Sequence, residues 1–101
     1  MISQYQGSWA YNQASISTNA PDVKGVYYCG YISPRNTLVT LYVGKSEEDS
    51  IKNRLLNHLN QDNWTDVTHF GFKTGETNQE ISSFEQQEIV RLNPKYNQKV
   101  G

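Results

Sequence analysis

Glu85 is the residue that most needs a chemical explanation, because it is an acidic residue on the apolar side of a predicted helix. The segment 79–92 carries apolar residues at helical spacing, and Ile81 and Ile89 lie four positions to either side of Glu85. An ionised carboxylate on such a face is unfavourable unless it is paired with a cation or binds a metal ion. Glu88 lies within the same apolar arc. The helix therefore indicates a metal ligand or a buried ion pair.

Two tyrosines on consecutive predicted strands form a second group. Segments 25–32 and 37–44 are rich in β-forming residues and flank a loop whose proline suits the second position of a type I turn. A four-residue loop sets Tyr27 directly opposite Tyr42, so the two side chains share one face of the hairpin. Alone, this pair is more typical of ordinary aromatic packing than of a reactive site.

Arg54 and His58 form a third group, on a helix predicted to follow the hairpin. Asp49 or Ser50 is its expected N-cap. The apolar residues of this helix fall in one stripe at 100° per residue: Ile51, Leu55, Leu56 and Leu59. Arg54 and His58 are four residues apart and lie just beside that stripe, at the rim of the contact between helix and sheet. Arg54 could answer Glu85 as a structural salt bridge, and His58 could be a surface or capping residue.

The remaining elements predict one small α+β domain over residues 25–101. Residues 66–73 are predicted as a third strand, and the helix over 79–92 ends before Pro94. We therefore expect a three-stranded antiparallel sheet flanked by helices. Residues 1–24 are rich in Ser, Gln and Asn, and we predict a polar N-terminal arm that is either laid across that domain by its aromatic residues or partly disordered.

The charge balance limits the classes of partner. Nine Lys and Arg residues against ten Asp and Glu residues give a net charge of -1. Non-specific DNA binding depends largely on phosphate neutralisation by basic residues, so this composition predicts weak DNA affinity through a local groove. The single cysteine, Cys29, cannot form an internal disulfide, and no zinc spacing is present. With no signal peptide or apolar membrane-length run, we expect a cytoplasmic protein without membrane partners.

Taken in order, these residues resemble the GIY-YIG nucleases. The matching motifs run from residue 25 to residue 97: Gly25-Val26-Tyr27, Tyr42-Val43-Gly44-Lys45, Arg54 with His58, Glu85, and Pro94-Lys95-Tyr96-Asn97. Two spacings depart from the family. Tyr27 and Tyr42 are fifteen residues apart, a longer hairpin than is common, and Lys45 and Arg54 are nine apart, slightly longer than in the related excision-repair incision domain. Both insertions can fall in loops.

The resemblance implies a metal-dependent DNA endonuclease that hydrolyses phosphodiester bonds, nicking DNA or acting on particular DNA structures. Glu85 is then the sole protein carboxylate on one divalent ion, Mg²⁺ or Mn²⁺, in keeping with the few protein ligands that Mg²⁺ commonly has. Tyr27 takes the proton of the attacking water as general base or relay, and Tyr42 positions the water or a phosphate oxygen. A tyrosine pKa near ~10 must be lowered by positive charge for this role, which we expect Lys45 to supply.

The family pattern also gives roles to three further residues. Arg54 holds the scissile phosphate, His58 assists proton transfer or phosphate binding, and Asn97 ties the C-terminal segment near the site. Cleavage of both strands then requires sequential nicking or a homodimer. Glu88 could replace Glu85 as the ligand, although the family spacing favours Glu85. The near-neutral charge leaves one alternative open, a catalytically weak or inactive module of the same fold that binds nucleic acid or protein.

Overall fold

The computed structural model describes residues 1–97. It contains four strands, three α-helices and one 3-10 turn. In chain order these are β1 (Gln6–Ala10), α1 (Gln13–Asn19), β2 (Gly25–Ile32), β3 (Leu38–Ser46), α2 (Ile51–Gln61), β4 (His69–Thr74), α3 (Asn78–Leu92) and the 3-10 turn Lys95–Asn97. Within residues 1–97, no helix is both long enough and apolar enough to cross a bilayer.

The strands form one antiparallel sheet in the order β1-β4-β2-β3. The α+β class is therefore correct, but the predicted three-stranded sheet is wrong, because residues 1–24 contribute a fourth strand. β1 pairs with β4, and Trp9 on β1 stacks on Phe72 with ring centroids 5.5 Å apart. α1 follows and buries Ile16 completely. A strand of only five residues, among polar neighbours, shows little alternation in the sequence.

The hairpin of β2 and β3 has a different register from the one predicted. Tyr27 pairs with Gly44, and Cys29 pairs with Tyr42. The loop holds five residues rather than four, since the Ser33 N–H donates to the Thr37 carbonyl, and a bulge between Cys29 and the next pair adds a second residue to β3. The total shift is two residues, which preserves the alternation of side chains. The two tyrosines therefore still share a face, diagonally rather than directly opposed.

Both helices that bear predicted site residues begin at defined caps. Ser50 is the N-cap of α2, and its hydroxyl accepts from the Asn53 N–H at 3.1 Å. Thr77 and Glu80 form a reciprocal capping box at the start of α3. These caps fix where each helix starts, and therefore which residues face the sheet.

The two faces of the sheet carry separate cores. α1 and α2 cover the face that holds Tyr27 and Cys29, both fully buried. α3 packs on the opposite face, against Val26, Tyr28 and Val43. Because β3 is an edge strand, side chains from both layers can meet at its rim.

Candidate active site

Tyr27 lies in the hydrophobic layer beneath α2, and its ring crosses over Gly44 on the neighbouring strand. The tyrosine is fully buried, and a Cβ added at Gly44 would overlap its ring. Any other residue at position 44 would therefore displace Tyr27. The glycine of the Tyr42-Val43-Gly44 motif thus has a packing reason, close approach of a neighbouring ring.

His58 is brought to Tyr27 by α2. The Tyr27 hydroxyl and His58 Nε2 are 2.9 Å apart and share a hydrogen bond. Tyr42 completes the group, with its ring centroid 6.2 Å from that of Tyr27 and 5.4 Å from that of His58. Burial lowers the pKa of His58, and the nearby Arg54 guanidinium lowers it further. The imidazole is therefore neutral at pH 7.

Arg54 lies one turn before His58 with its side chain exposed. Burial raises the pKa of Tyr27, and the Tyr42 hydroxyl adds to this, while the charge of Arg54 acts in the opposite direction. Burial outweighs the guanidinium, so Tyr27 is a phenol at neutral pH. Arg54 and Glu85, which both lie within residues 1–97, form no ion pair with each other. The structural salt bridge considered from the sequence is therefore not formed.

Glu85 projects from α3 with only 9% of its surface exposed. Burial raises the pKa of the carboxyl group, and the Lys45 ammonium partly opposes this. Its hydrogen-bond partner in the described region is the Gln86 amide, at 3.3 Å. No Lys, Arg or His nitrogen of residues 1–97 lies within ion-pair distance of it. The carboxylate is therefore buried with little compensation.

Lys45 does not lie where the sequence interpretation puts it. It pairs with Val26, so its side chain leaves β3 on the face opposite to Tyr27. Its ammonium donates to the Ser82 hydroxyl at 3.0 Å and pairs with Glu47 at 3.1 Å. Arg54, rather than Lys45, is the cation that lowers the Tyr27 pKa, and Lys45 acts on Glu85 instead.

Tyr42 connects the tyrosine–histidine cluster with Glu85. Burial raises the pKa of the Tyr42 hydroxyl; the Arg54 charge lowers it, and the Glu85 charge raises it. The hydroxyl therefore lies within electrostatic reach of a cation from one helix layer and a carboxylate from the other. This is possible because β3 is at the edge of the sheet. One region of the molecule therefore holds all five side chains: Tyr27, Tyr42, Arg54, His58 and Glu85.

Glu88, the other acidic residue on the apolar face of α3, is fully partnered. The Tyr28 hydroxyl donates to it at 2.6 Å, and Arg91 donates twice, at 2.6 and 2.8 Å. Hydrogen bonding by Arg91 lowers the pKa of the Glu88 carboxyl. Glu88 therefore forms a buried ion pair with Arg91, whereas Glu85 has no cationic partner among the described residues. This difference favours Glu85 over Glu88 as a metal ligand.

Asn97 holds the C-terminal 3-10 turn against the rim of the sheet. Its side chain accepts from the Val43 N–H at 2.7 Å and donates to the Val43 carbonyl at 2.9 Å, satisfying both outward backbone groups of the edge strand. The Tyr96 hydroxyl donates to Asp66 at 2.5 Å and anchors the same turn. Because Val43 follows Tyr42, Asn97 fixes the backbone beside the candidate site.

Three residues near the site were not singled out by sequence reasoning. Trp64 has its ring centroid 4.8 Å from His58 and 5.0 Å from Tyr42, and covers both. Asn63 places its amide 2.9 Å from His58 Nδ1. Glu47 pairs with Lys45 at 3.1 Å, near Glu85. Residues 63 and 64 belong to an irregular segment, where no periodicity indicates their direction.

The donors present fit a metal held by few protein ligands. Residues 1–97 contain no group of three or more His, Cys, Asp or Glu side chains arranged to hold an ion. Glu85 alone offers a poorly compensated buried carboxylate. Mg²⁺ keeps several waters and commonly uses one or two carboxylates plus phosphate oxygens, so a single carboxylate suits Mg²⁺ better than an all-protein cage.

No known relative is found. Comparisons of the chain with protein families, curated proteins and solved structures gave no match. Membership of the GIY-YIG family therefore stays a prediction that rests on the motifs and on the arrangement of the residues described above.

A cleft of about 700 Å³ lies away from the candidate site, on the face of the sheet that α3 covers. It is lined by residues that include Tyr28, Lys73, Glu88 and Arg91, and by none of the seven predicted site residues. The candidate site instead lies along the edge strand β3, where Arg54 is exposed and Tyr27 is buried.

Proposed function

We propose that the chain is a metal-dependent DNA endonuclease of the GIY-YIG type. The observation that carries the proposal is the 2.9 Å hydrogen bond between Tyr27 and His58 beside Tyr42. Arg54 and Glu85, which carry opposite charges, are both within electrostatic reach of the Tyr42 hydroxyl. Hydrolysis of a phosphodiester needs a cation for the phosphate, a carboxylate for a metal and a proton acceptor for water. Tyr27, hydrogen-bonded to His58, supplies the third requirement.

Tyr27 is the residue that accepts the proton of the attacking water in this proposal. Its phenol is protonated at neutral pH because burial raises its pKa, so only a small fraction is in the basic form. Arg54 increases that fraction, and the hydrogen bond with His58 orients the hydroxyl. Tyr42 then positions the water or a phosphate oxygen beside it.

Arg54 is the phosphate-binding residue in this proposal. Its exposed guanidinium is not consumed by an ion pair within residues 1–97, and its planar fork suits two oxygens of one phosphate. There it offsets negative charge that develops during hydrolysis.

Glu85 would hold the divalent ion, with Mg²⁺ or Mn²⁺ as the metals that suit a carboxylate and water. When bound, the ion supplies Lewis-acid activation of the phosphoryl group and stabilisation of the leaving oxygen. Lys45, paired with Glu47, restrains the surroundings of Glu85 through its bond to Ser82. A homodimer, or two successive nicks, would then cut both strands.

Cleavage of supercoiled plasmid DNA in Mg²⁺ or Mn²⁺ tests the proposal. We expect nicked circles with the wild type and a loss of at least about 100-fold in rate for Glu85→Gln, since one interaction with developing charge is commonly worth that much. Glu48→Gln is the control, because Glu48 is an exposed carboxylate near the start of α2. Absence of nicking by the wild type, or equal rates for the two variants, contradicts the proposal.

The second candidate is a module of the same fold that binds nucleic acid or protein with little catalysis. The raised pKa of Tyr27 and the net charge of -1 favour it, since both disfavour fast cleavage and tight DNA binding. Branched DNA that binds the wild type and Glu85→Gln equally, without turnover by either, would support this candidate against the endonuclease.

A further inference from the structure

The end of α2 brings an amide to the far side of the His58 ring. Asp62 is the C-cap in a left-handed conformation with φ 52°, which reverses the chain. The next residue, Asn63, then points back, with its Nδ2 2.9 Å from His58 Nδ1. The same Nδ2 also donates to Gln61 Oε1 at 3.2 Å.

An amide nitrogen can only donate, so His58 Nδ1 must be the acceptor. A neutral imidazole has one donor and one acceptor nitrogen, which places its proton on Nε2. His58 Nε2 is the atom 2.9 Å from the Tyr27 hydroxyl. In this tautomer the imidazole donates to Tyr27 and has no lone pair on Nε2 with which to take the tyrosine proton.

We propose that Asn63 is a positioning residue that holds neutral His58 with its proton on Nε2, so that His58 stabilises the phenolate of Tyr27 rather than accepting its proton. The catalytic meaning of this device rests on the proposed endonuclease function, whereas the tautomer itself does not. The role of His58 is then to increase the fraction of Tyr27 in its basic form.

The proton balance of the step follows from this arrangement. The O–H bond of the attacking water breaks, its proton goes to the Tyr27 phenolate oxygen, and the electron pair left on the water oxygen forms the bond to phosphorus. The bond between phosphorus and the leaving oxygen breaks in turn, its electron pair stays on that oxygen, and the oxygen takes a proton from solvent to leave as an alcohol. His58 keeps its Nε2 proton throughout, and Tyr27 returns its proton to solvent between turnovers.

The surroundings of the ring are compatible with this role. The charged and titratable groups that face His58 are Arg54 on its own helix, Tyr27 on β2 and Tyr42 on β3. Trp64 lies against the ring with centroids 4.8 Å apart. Burial and the Arg54 charge keep the imidazole neutral, so its tautomer, rather than its charge, decides what it does for Tyr27.

Ring ¹⁵N spectra of the intact protein test the proposal without any assay of activity. Above its pKa, we expect His58 to carry its proton on Nε2 in the wild type. Asn63→Asp replaces the donor with a pure acceptor and is expected to move the proton to Nδ1. Asn60→Asp, which adds the same charge at an exposed position of α2, leaves the tautomer unchanged. His69, the other histidine, is the internal reference.

Two spectral results overturn the proposal: a wild-type His58 protonated on Nδ1, or identical His58 signals in Asn63→Asp and Asn60→Asp. The pH profile of plasmid nicking in Mn²⁺ tests the effect of the His58 tautomer on catalysis. We expect the nicking rates of the wild type and Asn60→Asp to keep rising above pH 7. The rate of Asn63→Asp should level off there, because His58 Nε2 then accepts the Tyr27 proton. If the pH profile of Asn63→Asp has the same shape as that of the wild type, the proposed effect of the His58 tautomer on Tyr27 is contradicted. If no variant nicks DNA, the endonuclease proposal fails, while the spectra still decide the role of Asn63.

Discussion

At Tyr27, two opposing effects act on one hydroxyl. Burial beneath α2 raises its pKa, while Arg54 lowers it. The sequence indicated the tyrosine and the need for a cation, but it indicated Lys45 as that cation. Side-chain direction explains the difference: β3 continues to Ser46 instead of ending at residue 44, so strand alternation places Lys45 on the face of the hairpin opposite to Tyr27.

The raised pKa of Tyr27 predicts a steep pH dependence of cleavage. Well below that pKa, the phenolate fraction rises tenfold per pH unit, so the logarithm of the single-turnover rate should rise with a slope of about 1 between pH 6 and pH 8. Quenched-flow cleavage of a labelled plasmid at saturating Mn²⁺ measures it. Tyr27→Phe should abolish the dependence together with the activity. A flat wild-type profile would argue against Tyr27 as the base.

Glu88, unlike Glu85, is hydrogen-bonded to Tyr28 and Arg91, so its substitution should affect the stability of the fold. Because Arg91 lowers its pKa below the ordinary value of 4.5, the folded state binds the Glu88 proton more weakly than the unfolded state does. The stabilisation is therefore present above about pH 4.5 and is lost as pH falls through the lower folded pKa. We expect Glu88→Gln to cost about 1–3 kcal/mol at pH 7, because it weakens buried hydrogen bonds to Tyr28 and Arg91.

Urea unfolding of Glu88→Gln and the wild type at pH 7 and pH 3 measures this cost. The difference in the free energy of unfolding should shrink at pH 3. Glu48→Gln, which removes an exposed carboxylate, should change stability by less than about 0.5 kcal/mol at either pH. A deficit for Glu88→Gln that is equal at both pH values would show that its charge does not stabilise the fold.

At the scale of elements, α2 and α3 were the most predictable part, whereas α1 was not predicted. Both helices follow from their apolar spacing. Ser50 marks the beginning of α2, and Pro94 marks the end of α3. The hairpin strands were also found, but their register was not. Loop length and a bulge each shifted it by one residue, and two shifts together restored the shared face of Tyr27 and Tyr42.

The contact of Asn97 with the edge strand gives a prediction at this scale. Asn97→Ala removes the partners of the Val43 N–H and carbonyl, so hydrogen exchange at the Val43 amide should accelerate by at least about tenfold. Asn97→Asp can still accept from that N–H and should retain most of the protection. Equal exchange rates in the wild type and Asn97→Ala would mean that the side chain does not clamp β3.

At the scale of the whole molecule, the predicted strand count was wrong, because the N-terminal segment adds β1 to the sheet. Trp9 packs against β4 as one of the aromatic residues of the predicted arm, whereas the fully buried Ile16 was not predicted. Five-residue strands and seven-residue helices carry too few apolar residues for periodicity to be seen. The segment therefore completes the sheet, while all seven predicted site residues lie beyond it.

Ile16 allows a direct test of that integration. Ile16→Ala should lower the free energy of unfolding by about 2–5 kcal/mol, because its side chain is fully buried. Val23→Ala, at a site 49% exposed in the same segment, should cost less than about 0.5 kcal/mol. Urea denaturation measures both. Similarly small effects would indicate a loosely attached arm.

Glu85 is the residue on which the proposed function depends, and Mn²⁺ titration followed by NMR tests it most directly. Paramagnetic broadening should centre on the amides around Glu85 in α3 and Tyr42 in β3, and should disappear in Glu85→Gln. The exposed acidic residues Glu48 and Asp49 are the natural competing site for a weakly bound cation. Broadening centred there, or unchanged broadening in Glu85→Gln, would contradict a metal site shared by Glu85 and the tyrosine pair.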